Sequence, residues 1–161
     1  MELHHIFNRE YDDFISKIGR AVPKEKRLID EHYNTFRSFA KINVKAPINM
    51  FLNTSHPFAK QIFDKDSQFF MNLTSLSDGL AENGMSLGVL SKHWVELSEK
   101  SQEAMWQYLR NLLILSWQWV GINTFDKPLI KRLIDESPQW LPQDNRNFPD
   151  ISKTLQAKYG Q

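Results

Sequence analysis

The sequence predicts an all-α fold, a compact multi-helix bundle, on three observations. Apolar residues recur at three- and four-residue spacing along most of the chain. No run alternates apolar and polar residues over a useful strand length. One stretch, Met105 to Val120, is apolar around most of its circumference, which predicts a central buried helix over residues 99–120. Its polar residues Gln107, Arg110, Asn111 and Gln118 fall on one narrow stripe, and Ser116 on the apolar side can bond the carbonyl one turn back. Arg110 in the stripe argues against a membrane span, which needs about 20 almost uncharged residues.

The elements follow in order. Phe7, Tyr11, Phe14, Ile15, Ile18 and Val22 make one helix face, stopped by Pro23. A second helix from Lys24 to about Ile42 turns Leu28, Ile29, His32, Tyr33, Phe36, Phe39 and Ala40 inward, and the short connection makes the two antiparallel. Pro47 opens a short helical turn over Ile48 to Leu52, broken at Asn53-Thr54-Ser55-His56-Pro57. Asp64 to Phe70 is a turn whose adjacent Phe69 and Phe70 cannot face the same way from a helix. Thr74 to Gly84 has the most loop-like composition, and Met85 to Leu97 returns to helical spacing. Ser98 is the expected N-cap of the central helix, Glu99 favours its dipole, and Gly121 is its expected C′ residue. Thr124 or Asp126 caps a short helix through Leu129, Ile130, Leu133 and Ile134. The expected organisation is a helical domain over 1–136 and an extended or weakly helical C-terminal segment over 137–161.

Composition narrows the chemistry. With no cysteine there is no disulfide, thiolate metal site or cysteine nucleophile. The formal net charge is +1, yet residues 17–45 concentrate Lys17, Arg20, Lys24, Lys26, Arg27, Arg37, Lys41 and Lys45 against Glu25, Asp30 and Glu31. Such a segment is more often a solvated helix surface than an anion-binding site. Within it Lys26, Arg37 and Lys41 share a line and are the residues expected to contact an anion. The N-terminal residues do not read as a signal peptide, so an intracellular setting, not secretion, is expected, and the sequons at Asn53 and Asn72 are read as accidental.

No catalytic or cofactor motif stands out, neither a phosphate-binding glycine loop nor a nucleophile elbow. Glu2-Leu3-His4-His5 has the Glu-x-x-His spacing of di-iron bundles, but the second copy that such a centre needs is absent. His32 and His93 lie on apolar helix faces, where a hydrogen-bonded core histidine is the commoner outcome. Asp12-Asp13 diverge on a helix, and Asp64 and Asp66 flank a turn where Asp commonly bonds backbone amides. Neither an enzyme nor a bound cofactor or metal is therefore expected.

Several segments together carry a resemblance: Lys65-Asp66-Ser67-Gln68-Phe69-Phe70, then Trp94-x-x-Leu97, then Trp106-Gln107-Tyr108-Leu109 followed by Leu112. This order resembles small helical proteins encoded by nucleocytoplasmic large DNA viruses, over about residues 10 to 120. The resemblance implies a viral setting, the virion or the infected cell. It gives Trp94, Leu97, Trp106, Leu109 and Leu113 packing roles, and it transfers no catalytic position.

The expected function is a non-enzymatic viral interaction protein, a minor virion component or an adaptor that binds another protein, viral or host. Its partner is expected on the exposed member of the Trp117/Trp119 pair together with Trp140, Leu141, Phe148 and Ile151, large apolar residues in or beside a segment rich in Pro, Asn and Gln. A tail folded over its own domain is the competing expectation. The alternative function is an accessory nucleic-acid-binding or transcription-associated protein using residues 17–45. A hydrolase or nuclease built on Asp64, Asp66 and a histidine ranks last. No membrane partner is expected.

Overall fold

In the computed structural model, which describes residues 2–71, 87–140 and 150–160, the longest element is the predicted central helix. In chain order the helices are α1 (Leu3–Ala21), α2 (Lys26–Ile42), α3 (Ala46–Ser55), α4 (Ala59–Phe63), α5 (Ser67–Met71), α6 (Leu87–His93), α7 (Glu99–Trp119), α8 (Lys127–Glu136) and α9 (Ile151–Tyr159). Short 3-10 turns cover Pro23–Glu25, His56–Phe58, Trp94–Glu96 and Ser137–Trp140. No strand occurs among the described residues, and the fold is an all-α bundle. The expected loop at Thr74–Gly84 lies outside the described residues, as do the side chains of Phe69 and Phe70.

The two ends of α7 are set by local chemistry. Ser98 Oγ accepts from the Ser101 amide at 3.1 Å, which satisfies one of the unpaired N–H groups of the first turn. At the other end Gly121 has φ 88°, and its N–H bonds the Gln118 carbonyl while Ile122 N–H reaches Trp117 O, each at 3.0 Å. These are the two bonds of a Schellman motif, and Ile122, the residue after the glycine, is buried.

Between those ends α7 is packed by α1, α3 and α4. Leu109, Leu112, Leu113 and Ser116 are all at most 1% exposed, and Ser116 Oγ donates to Leu112 O at 2.8 Å. The polar stripe does not simply face water. Gln118 donates to Thr124 Oγ1 at 2.8 Å, Arg110 to the Phe63 carbonyl, and Asn111 to Glu10 at 3.4 Å. The Phe14–Tyr108 ring contact and the Glu10–Asn111 bond run in opposite senses along α1 and α7, so those helices are antiparallel.

Helices α1 and α2 are antiparallel as well. Asn8 donates to Val44 O, the rings of Tyr11 and Phe36 lie 4.6 Å apart, and Gly19 meets Ile29 near the turn. Helix α3 is longer than its composition suggests. It continues through Asn53-Thr54-Ser55, where two of the polar side chains have partners: Thr54 Oγ1 donates to Met50 O at 2.9 Å, and Asn53 Oδ1 accepts from Ser152 N at 3.0 Å. The chain changes to a 3-10 turn only where Pro57 removes an amide.

The C-terminal segment, expected to be extended or weakly helical, carries the helix α9. Asp150 caps α9 through the Lys153 amide, and Ile151 and Leu155 are 0% exposed in the common core beside α3. Ser137 is also buried: its hydroxyl accepts from Lys60 N at 3.0 Å and donates to Ile134 O at 2.8 Å.

Candidate functional site

Helix α2 has an apolar surface that the bundle leaves partly uncovered. It packs on α1 and α3 from one side, so only a narrow band, Ile29 with the half-buried Tyr33, Phe36 and Ala40, turns inward. The apolar band in the sequence is wider than that contact. Leu28 and Phe39, expected inward, are instead 39% and 42% exposed, and Ile42 and Val44 extend the surface at 86% and 39%. At the C-terminal end of α2 this surface is bordered by the exposed Arg37, Lys41 and Lys45. Residues 32–63 contain no Asp or Glu, so no acidic side chain from that stretch neutralises the cluster.

The three residues expected to contact an anion, Lys26, Arg37 and Lys41, are all exposed. Asp30 sits exposed between Lys26 and Arg37 on the same helical line, and Arg27 is 3.8 Å from Glu31. The Arg37 guanidinium lies over the Tyr33 ring, 5.4 Å from its centroid. The basic character is thus strongest at the C-terminal end of α2, beside Phe39 and Ile42.

The expected C-terminal anchor residues are placed otherwise. Trp117 is the core member of the Trp117/Trp119 pair, and Ile151, also fully buried, cannot seat a second chain without unfolding the core, which corrects the expectation for Ile151. Trp119 and Trp140 are half-buried against the core. Lys158 lies over the Trp140 ring and Tyr159 donates to Glu136, which fastens α9 across the end of α8. Leu141 and Phe148 lie outside the described residues.

Two histidines occupy defined electrostatic settings. His56 is 0% exposed, and its Nδ1 accepts from Trp117 Nε1 at 3.1 Å. Its proton is therefore on Nε2, which has no partner among the described residues, and burial pulls its pKa down to about 4. His93 is the opposite case. Nδ1 meets Glu96 at 2.8 Å and Nε2 meets Glu25 at 3.0 Å, an arrangement that suits the doubly protonated ring. Hydrogen bonds to Glu96 and then Glu25 raise its pKa, and Lys92 also reaches Glu25 at 3.2 Å. The result ties the 23–25 turn to the end of α6.

Asp64 pairs with Lys60 at 3.5 Å, and Asp66 Oδ1 accepts from the Gln68 amide at 3.1 Å, around a turn with Lys65 at φ 55°. Both carboxylates therefore have local structural partners of the kind expected at a turn. Among the described residues no helix is long and apolar enough to cross a membrane. Comparison with protein-family models, curated proteins and solved structures finds no match to this chain.

Proposed function

We propose that this protein is an interaction domain that docks an acidic, amphipathic segment of another polypeptide on the C-terminal end of α2. The observation that carries the reading is Ile42. A large aliphatic side chain 86% exposed, next to the partly exposed Phe39 and Val44, gains up to about 3 kcal/mol when a partner covers it. Arg37, Lys41 and Lys45 around it favour a partner that brings carboxylates. A nucleic-acid partner, the other reading of the basic segment, would use the cations and leave Phe39 and Ile42 without a role.

The resemblance to helical proteins of large DNA viruses supports a virion component or adaptor as the setting of that contact. Its motif residues Trp94, Leu97, Trp106, Leu109 and Leu113 are all buried, so it adds no residue to the surface.

The test is a binding titration of the full chain with three probes. They are a synthetic helical peptide with Leu and Phe on one face and Glu on the other, the same peptide with Lys for Glu, and a short DNA duplex. The acidic peptide should bind, and Ile42→Asp should weaken it about tenfold or more, equivalent to about 1.4 kcal/mol. Preference for the duplex with steep salt dependence would replace this reading by the nucleic-acid one. Binding of none of the three would remove it.

A further inference from the structure

The first turn of α1 gathers three side chains with metal-ligating chemistry. Glu2 stands at the N-cap with extended backbone, φ −70° and ψ 146°, but its side chain makes no capping hydrogen bond. Instead its Oε2 lies 3.3 Å from His4 Nε2. His4 is 5% exposed, whereas Glu2 and His5 are exposed. Consecutive residues on a helix diverge by about 100°, yet the His4 and His5 rings come within 4.3 Å of each other, inclined at 46°. One potential ligand atom from each of the three side chains lies within 4.8 Å of the other two.

We propose that Glu2, His4 and His5 form a binding site for one borderline divalent cation, of which Zn2+ is the type, with water in the fourth position. Two imidazoles and a carboxylate are a known zinc donor set, and metal–ligand bonds of about 2.0–2.2 Å place tetrahedral ligand atoms about 3.4 Å apart. The three groups close to that spacing by rotating the exposed Glu2 and His5 side chains, while His4 is held by the core. The positive end of the α1 dipole opposes a cation, and the Glu2 carboxylate offsets it. Nitrogen donors set the selectivity: imidazole suits zinc, nickel and copper, while magnesium and calcium require oxygen-rich sites. A metal bound here bridges residues 2 and 5 across the first turn, so it stabilises the start of α1 by linkage.

The sequence shows the Glu-x-x-His spacing of Glu2 and His5 but, with no second copy, raises no expectation of a metal; the geometry adds His4 between them. The experiment titrates the full, untagged chain with Zn2+ by calorimetry and thermal melting, and with Co2+ by visible absorption. One ion should bind per chain and raise the melting temperature, and Co2+ should give the intense bands of a tetrahedral site. Glu2→Gln and His5→Ala, both at exposed positions, should each leave the metal-free melting temperature unchanged. Each should weaken binding about tenfold or more, at least the loss caused by removing a second-shell partner. Absence of saturable Zn2+ binding would overturn the proposal, and so would binding that survives both substitutions.

Discussion

Protonating His56 requires the fold to accept a charge on a ring that is 0% exposed. In the folded protein its pKa is about 4, set by burial, against an ordinary value of 6.5. Between those two pH values the unfolded chain binds a proton that the native state refuses, so stability falls as pH falls. Each unit is worth about 1.36 kcal/mol, so the two units below pH 6.5 remove about 2.7 kcal/mol. The proton would also turn Nδ1 from acceptor to donor and break the bond from Trp117 Nε1. His56→Asn keeps an acceptor near the Nδ1 position and abolishes the titration. Urea denaturation followed by tryptophan fluorescence at several pH values measures both proteins. The variant is expected to be less stable than the wild type at neutral pH, because the smaller side chain leaves a cavity, but to lose less stability on acidification. His93 titrates in both proteins and cancels in the difference. Parallel pH profiles for the two proteins would refute the assignment of a buried neutral His56.

Further expectations concern other parts of the fold. The raised pKa of His93 means that its clasp stabilises the fold fully below pH 6.5 and is lost as pH rises through the folded value, so His93→Gln should flatten the alkaline side of the stability profile. Gly121→Ala forces a Cβ into the left-handed region at φ 88° and should cost about 1–2 kcal/mol in equilibrium unfolding. Ser98→Ala removes the N-cap acceptor for Ser101 and should cost about 1 kcal/mol. Leu155→Ala, at a site 0% exposed on α9, should cost about 2–5 kcal/mol. A neutral result for Leu155→Ala would show that the C-terminal helix is not part of the core.

The most legible parts of the molecule in the sequence were those determined locally. Ser98 and Gly121 mark the ends of α7 because capping depends on residues within a turn of each other. The near-continuous apolar surface of α7 required neighbours on most sides, and α1, α3 and α4 supply them. Tertiary partners were less legible. Asn53, Thr54 and Ser55 looked like a break in α3 because the Asn53–Ser152 bond spans 99 residues of sequence. Periodicity left open which of Trp117 and Trp119 is core, and Ile151 looked available to a partner because periodicity cannot show that α3 covers it. Leu28 and Phe39 failed in the other direction. Their spacing specifies an apolar face of α2, but how much of that face is covered depends on helices elsewhere in the chain. The same limit hid the candidate docking surface, which is the part of the α2 apolar band that the fold leaves uncovered.

The most direct measurement of the docking reading is a charge exchange at the end of α2. Arg37→Glu and Lys41→Glu together reverse the charge beside Ile42 at two exposed positions, while the apolar residues remain. With the fold checked by thermal melting, binding of the acidic and the basic helical peptides is compared with that of the wild type. The doubly substituted protein should lose the acidic peptide and gain the basic one, with Phe39 and Ile42 still required. If it binds the acidic peptide as the wild type does, the α2 surface is not where that peptide docks.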